Sequence, residues 1–314
     1  MAGVALSGTQ HLLRAGRYEA CIASVGASLR SLTFDGRDLV VPFAPDEVRP
    51  AFRGVTLAPW PNRVVDGRYV FDGVEQRLAL TEPERGHALH GLAAWLDYEA
   101  IGKGPDHVTV RADIQAQTGY PWRVRIETRY ELDAQGLTQT VRATNEADTA
   151  APFGTGPHPY LVAGESALDE WTLELPASQV LHVTEDRLAP TTLRAVDADD
   201  AARFDFRAAR RIGAVELDHA FTDLARGEDG HASVRLTDAS GSGVEMCWDG
   251  ACGWVQVHTA DLPDGRPGTR AGLAVEPMTC APDAFNAARY PFDTGLLTVE
   301  PGTTVEASWR IAAL

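Results

Sequence analysis

The chain has 314 residues, 44% of them hydrophobic and 23% charged, and a formal net charge of -16. This is the balance of an ordinary globular chain and excludes global disorder. The acidic excess repels nucleic acid and anionic lipid and favours a neutral partner.

Strand alternation dominates the pattern along the chain. Phe34-Asp35-Gly36 and Phe71-Asp72-Gly73 each place an Asp-Gly turn after an apolar run, the second between Arg68 to Phe71 and Val74 to Leu80, and predict two hairpins. A strand is expected over His107 to Ile114. The clearest alternation follows: Trp122, Val124, Ile126, Tyr130 and Leu132 interleave with Arg123, Arg125, Glu127, Arg129 and Glu131, predicting one buried and one wet face. Asp133-Ala134-Gln135-Gly136 then turns the chain into a returning strand, Leu137 to Thr144. Further strands are expected at Trp171 to Leu175, Ser233 to Leu236, Gly243 to Trp248, Trp254 to His258 and Thr303 to Ile311. Helix is confined to a short piece within Ala195 to Ile212 and one turn at Pro282 to Ala288. With no βαβ pattern and many Gly/Pro-rich turns, the expectation is an all-β chain, antiparallel throughout, forming a large sandwich or barrel. No linker or charge block divides it, so residues 1–314 are expected to form a single domain.

Several chemistries are disfavoured. Lys103 is the only lysine and lies in Gly102-Lys103-Gly104-Pro105-Asp106, an exposed turn unsuited to a Schiff base or a phosphate loop. Cys21, Cys247, Cys252 and Cys280 form no C-x-x-C pair, which speaks against a zinc knuckle or redox motif. Met1 to Ala20 has no continuous apolar core, and no run of about 18 apolar residues follows, so a cytoplasmic protein that neither spans nor binds a membrane is expected. G-x-S-x-G, H-E-x-x-H, G-x-x-x-x-G-K-[ST] and strand-coupled G-x-G-x-x-G motifs are all missing.

Five polar segments in Gly/Pro-rich surroundings carry the chemistry instead. In Pro59-Trp60-Pro61-Asn62-Arg63, Asn62 and Arg63 can bind hydroxyls, and Trp60 can stack on a pyranose face; the alternative is a surface Arg in an ion pair. Arg85-Gly86-His87-Ala88-Leu89-His90-Gly91 brings two histidines close, but a metal site needs a third ligand and none is expected. His158, in Gly154-Thr155-Gly156-Pro157-His158-Pro159-Tyr160, is held between two prolines as a positioned acid or base must be, or as a turn histidine bonded to backbone. Asp218, in Leu217-Asp218-His219-Ala220-Phe221, can orient a hydroxyl or cap its own turn. Glu276 ends the apolar run Leu273-Ala274-Val275 before Pro277, where burial raises its pKa toward that of a general base; pairing with one of the many Arg residues is the alternative.

Together and in this order, the segments resemble the aldose 1-epimerase (galactose mutarotase) family. Asn62-Arg63 looks like its N-R-I segment, with Val64 in place of Ile. Leu89-His90-Gly91 is similar to its L-H-G element, which selects His90 over His87. His158-Pro159-Tyr160-Leu161 resembles H-x-Y-F, Asp218-His219 resembles D-H, and Leu273 to Asn286 looks like L-x-x-E-P…P-D-A-x-N. The His158-Pro159-Tyr160 form of the acid segment and the Val64 replacement suggest a divergent subgroup close to bacterial epimerase-like members.

The resemblance implies an antiparallel β-supersandwich and interconversion of the α and β anomers of a free monosaccharide. In that chemistry Glu276 takes the O1 proton, protonated His158 donates to O5, and the ring opens, rotates about C1 to C2 and recloses. His90 helps hold the ring-oxygen region, Asn62, Arg63 and Asp218 fix hydroxyls, and neither a metal nor an organic cofactor is required. A hexose-6-phosphate epimerase, a non-catalytic sugar-binding module and a glycoside hydrolase are the competing readings. The net charge disfavours the first, retention of both Glu276 and His158 the second, and the want of a second convincing acid the third. Oligomeric state is left open by the sequence.

Overall fold

The structure, a computed structural model, describes residues 5–262, 266 and 268–314. The expectation of an all-β chain holds. Among the described residues helix is limited to Ala201–Phe204 and a few short 3-10 turns, and no helix is long and apolar enough to cross a membrane.

The largest sheet has nine strands. Within it the hairpin of Val124–Asp133 and Gly136–Asn145 is closed by Ala134-Gln135, where the Gln135 amide donates to the Asp133 carboxylate at 2.7 Å. Val124, Ile126, Tyr130 and Leu132 are buried on one face while Arg129 and Glu131 face solvent, as their alternation requires. On one side follow His107–Ile114 and Glu99–Lys103; on the other, Thr304–Ala313, Gly243–Trp248, Ala232–Thr237, Thr172–Glu174 and Arg210–Arg211. A strand from the C-terminal end of the chain thus completes the ladder begun at its middle.

A six-stranded sheet carries the polar segments of Asp218 and Glu276 and the end of a third at Tyr160, in the order Tyr160–Leu161, Leu273–Met278, Trp254–His258, Asp218–Leu224, Ala177–Val183 and Pro190–Ala195. A third sheet of four strands, Gln10–Ala15, Tyr18–Ala23, Ser28–Phe34 and Arg37–Asp38, covers part of the first. All ladders between these strands are antiparallel; the bridge between Ala58 and Gly91 is parallel. One apolar cluster joins the inner faces of all three, with Ile126, Val141 and Trp309 from the first, Phe221, Val257 and Val275 from the second, and Ile22 and Leu32 from the third. A buried amide on the first sheet is paired at both ends. Gln139 donates to Thr56 Oγ1 at 2.9 Å and accepts from the Trp309 indole at 2.9 Å.

The Asp-Gly hairpins take left-handed turn geometry, with φ of 49° and 79° at Asp35-Gly36 and 49° and 76° at Asp72-Gly73. Elsewhere the structure corrects the sequence boundaries. The strand after Asp72-Gly73 ends at Arg77, because the Leu78 amide turns to the Gly67 carbonyl at 2.7 Å and leaves Leu80 exposed. Tyr18–Ala23 was without alternation because nearly every residue is buried, and Pro190–Ala195 because an edge strand stays polar and open.

Candidate active site

Three neighbouring strands of the six-stranded sheet build one wall of a polar cleft. Ladder register puts Asp218 opposite His258, and Gln256 opposite Glu276. With a side-chain period of two, all four project from the same face. Gln256 donates to Asp218 Oδ1 at 2.6 Å, and its side-chain oxygen is left without a partner among the described residues. Glu276, 2% exposed, likewise has Oε2 unpartnered. Burial, reinforced by the Asp218 charge, pushes Glu276 well above the usual carboxylate range. Asp218 is held below its ordinary value: burial opposes this, but His258 and Arg63 outweigh it.

The facing wall comes from loops. His158 enters after the two-residue strand Gly156–Pro157, which pairs with Thr56–Leu57; its amide donates to the Val55 carbonyl at 3.1 Å and its carbonyl accepts from Gly54 at 2.8 Å. The imidazole Nε2 then lies 3.5 Å from Glu276 Oε1. Burial, followed by the nearby His258, drives its pKa down to about 3. His90 reaches the same place from the other loop, its ring edge-on to His158 at 5.0 Å between centroids and 84° between planes. It sits at φ 62° with its amide on the Asn62 carbonyl at 2.8 Å. Gly91 follows because a Cβ there would fall 2.1 Å from the Ala58 carbonyl oxygen. Nδ1 of both histidines is buried and, among the described residues, unpartnered. Phe52, half-buried, packs on His90 with centroids 4.7 Å apart and lies 6.3 Å from His158.

Arg63 closes the floor. Glu82 grips it with two bonds, Nε to Oε2 at 2.8 Å and Nη2 to Oε1 at 3.0 Å, and Asp218 Oδ2 stands 4.0 Å from Nη2. Burial works against the cation, but Glu82 and then Asp218 hold its pKa above the ordinary range.

The sequence-derived residues separate in space. Glu276, His158, His90, Arg63 and Asp218 converge. Asn62 holds Arg63, its Oδ1 accepting from the Arg63 amide at 2.9 Å. Trp60 corrects the expectation of a stacking surface, since its ring is buried against Phe285 at 5.5 Å and its indole donates to the Ala88 carbonyl at 3.3 Å. An aromatic beside an Arg reads the same whether it faces a cleft or the core. Burial also favours the neutral form of His158. His87 is diverted to the structure: Nε2 lies 2.9 Å from the Arg187 carbonyl and Nδ1 accepts from the Asp66 amide at 3.3 Å. Asp283 and Asn286 are also structural, with Asp283 accepting from the Val65 amide at 2.8 Å and so fixing the strand that carries Arg63. Glu82, Gln256, Phe52 and His258 escaped the sequence reading; Gln256 alone left a signal, a polar residue within the apolar Trp254–His258 run.

The aldose 1-epimerase family model matches residues 9–312, so the chain belongs to that family. A relative from Escherichia coli K12, bearing the name uncharacterized protein YihR, is 38% identical over 90% of this chain and 87% of its own. An aldose 1-epimerase from the same organism is 26% identical over 77% and 74%. Among solved structures, a galactose 1-epimerase from Lactobacillus acidophilus superposes with a TM-score of 0.79 at 18% identity, covering 97% of this chain and 94% of that one. A GalM/aldose epimerase homologue from C. elegans gives 0.80 at 20% identity, covering 98% and 100%. At these identities the structural likeness speaks for the fold.

Proposed function

We propose that the protein is a cofactor-independent aldose 1-epimerase that exchanges the anomers of a free monosaccharide, with Glu276 and His158 as the proton-transfer pair. The observation that carries this reading is the 3.5 Å approach of His158 Nε2 to Glu276 Oε1, with Glu276 Oε2 and His158 Nδ1 left unpartnered. Anomerisation needs one proton removed at O1 and one supplied at O5, and a carboxyl and an imidazole sharing a single proton have that inventory.

Burial favours the neutral forms of both groups, which puts the shared proton on Glu276. A bound sugar reverses the preference. Its O1 hydroxyl donates to the carboxylate, and its ring oxygen, which can only accept, selects an N–H on the imidazole. Substrate therefore draws the proton onto His158 and leaves Glu276 as base. Proton transfer from O1 to Glu276 and from His158 to O5 opens the ring; rotation about C1 to C2 and the reverse transfers close it on the other face. Arg63, Asp218 and Gln256 hold the remaining hydroxyls so that the reacting atoms stay in reach.

Anomer exchange followed by NMR over glucose, galactose, arabinose and xylose tests the proposal, with Glu276→Gln as control. Acceleration of at least one sugar, abolished in the variant, is expected. Binding without acceleration by the wild type would instead identify a sugar-binding module.

A further inference from the structure

Arg49, Phe52 and Trp95 form a rigid apolar shelf on the histidine side of the cleft, outside the proton-transfer machinery. Trp95 is 56% exposed and is the one aromatic ring among the large exposed hydrophobic side chains of the described residues. An indole left in water normally costs free energy and orientational freedom; this one is fixed. The Arg49 guanidinium lies 4.4 Å from its ring centroid. That guanidinium is itself buried and tied to three neutral oxygens, Val25 O at 3.1 Å, Ser28 Oγ at 2.8 Å and Ala94 O at 2.6 Å. The last is the carbonyl preceding Trp95, so one buried cation clamps both the backbone and the face of the exposed ring.

Phe52 links the shelf to the reaction centre. Its ring lies 6.0 Å from Trp95 and 4.7 Å from His90. It is delivered by the turn Pro50–Phe52, in which Ala51 and Phe52 both take left-handed φ, 45° and 55°. Two successive non-glycine residues in that region are costly, and such strain persists where the surrounding structure imposes a position on the side chain.

We infer that Phe52 and Trp95 are specificity-determining residues that receive the exocyclic C6 arm of the sugar, so that the preferred substrates are aldohexopyranoses and not pentopyranoses. The inference rests on the assignment of His158 to the ring oxygen. C1 and C5 flank that oxygen, and with O1 on Glu276 the C5 end and its C6 substituent fall on the far side of O5 from Glu276, where Phe52 borders the histidines. The methylene of C6 and the C–H bond at C5 are the apolar part of that edge and match an aromatic surface. Xylose differs from glucose only in lacking this arm and leaves the shelf uncovered.

The test compares kcat/KM for anomer exchange of D-glucose and D-xylose by the wild type, Trp95→Ala, Trp95→Phe and Phe52→Leu. The wild type is expected to favour glucose about 10-fold, the low end of what one methylene filling an apolar pocket provides. Trp95→Ala should lose that preference through a raised KM for glucose, with xylose unchanged within about 2-fold, and Trp95→Phe should restore most of it. Phe52→Leu, which keeps apolar bulk in the turn, should give an intermediate ratio. A wild type indifferent to C6, or a Trp95→Ala loss equal for both sugars, would overturn the inference while leaving the epimerase reading intact. Failure of the wild type to exchange either sugar would overturn the inference, and failure with galactose and arabinose as well would overturn the epimerase reading.

Discussion

The two walls of the cleft are specified by different physics. Asp218, Gln256 and Glu276 stand on three adjacent strands, where ladder register and the two-residue period fix them together. His90, His158 and Phe52 stand on loops, where individual backbone bonds and left-handed residues fix them one at a time. A change of side chain on the strand wall should therefore alter chemistry and leave the scaffold intact. On the loop wall the two are coupled.

The largest expected effect on activity breaks the strand wall. Glu276→Gln keeps the shape and the ladder but cannot accept a proton, and kcat for anomer exchange should fall by about 10³-fold. Stability should move the other way. The folded-state pKa of Glu276 is raised above the ordinary 4.5, so burial costs nothing below that pH, and the folded state loses stability as pH rises toward the raised value. The neutral amide has no such loss. Thermal melts should show a gain in Tm that is small below pH 4.5 and larger on the alkaline side; a variant destabilised at alkaline pH would contradict the direction of the shift.

On the loop wall, Gly91→Ala should lower both quantities. Its Cβ would meet the Ala58 carbonyl at 2.1 Å, and the native φ is 75°. A loss of about 3 kcal/mol in urea denaturation and about a 10-fold drop in kcat are expected, because the displaced loop carries His90. Full activity in a destabilised protein would show that His90 is dispensable to the chemistry.

How much of this contrast was legible in sequence follows from the same physics. Strands with one wet face, such as Val124–Asp133, announce themselves by alternation, whereas Tyr18–Ala23, buried on both faces, does not. Asp218 and Glu276 were found because each sits in a recognisable motif, but their common face depends on the order of strands in the sheet, which no local pattern encodes. Gln256, between them, has no motif at all. The loop wall was read through His90 and His158, flanked by glycine and proline, while Trp60 was taken for a stacking surface and Trp95 went unread. Nothing local to either tryptophan says that one is packed on Phe285 and the other lies on Arg49 in the open.

The pH dependence sharpens how the walls cooperate. Were Glu276 and His158 to keep their ordinary values of 4.5 and 6.5, kcat/KM would decline above pH 6.5 as the acid lost its proton. With Glu276 raised and His158 lowered to about 3, the pair holds a single proton across that range. The profile, after subtraction of the buffer-catalysed rate, should be level through pH 6.5. It should fall on the acid side only toward the lowered His158 value, and on the alkaline side beyond the raised Glu276 value. A decline centred on 6.5 would mean that the loop wall does not desolvate His158.

The smallest expected effect lies where the walls meet, at Glu82. This residue is joined to His87 by reciprocal backbone bonds of 3.0 and 3.2 Å, and its carboxylate binds both Arg63 and Arg85, the latter at 2.8 Å. It touches no reacting group and is a positioning residue for Arg63. Glu82→Gln replaces one acceptor oxygen with an amide nitrogen that cannot take a guanidinium N–H, and it removes the charge that balances Arg63. Released from the fork, Arg63 should lean toward Asp218, now 4.0 Å away, and bind hydroxyls less well. A KM increase of about 5-fold with kcat within about 2-fold is expected, which is the pattern of lost uniform binding. The charge gives a second readout. Arg63 already lowers the Glu276 pKa against the larger effects of burial and Asp218, and with Glu82 neutral its pull is unopposed. The alkaline limb of the kcat/KM profile should therefore move to lower pH in the variant. A merely structural Glu82 would change KM or stability and leave that limb where it was.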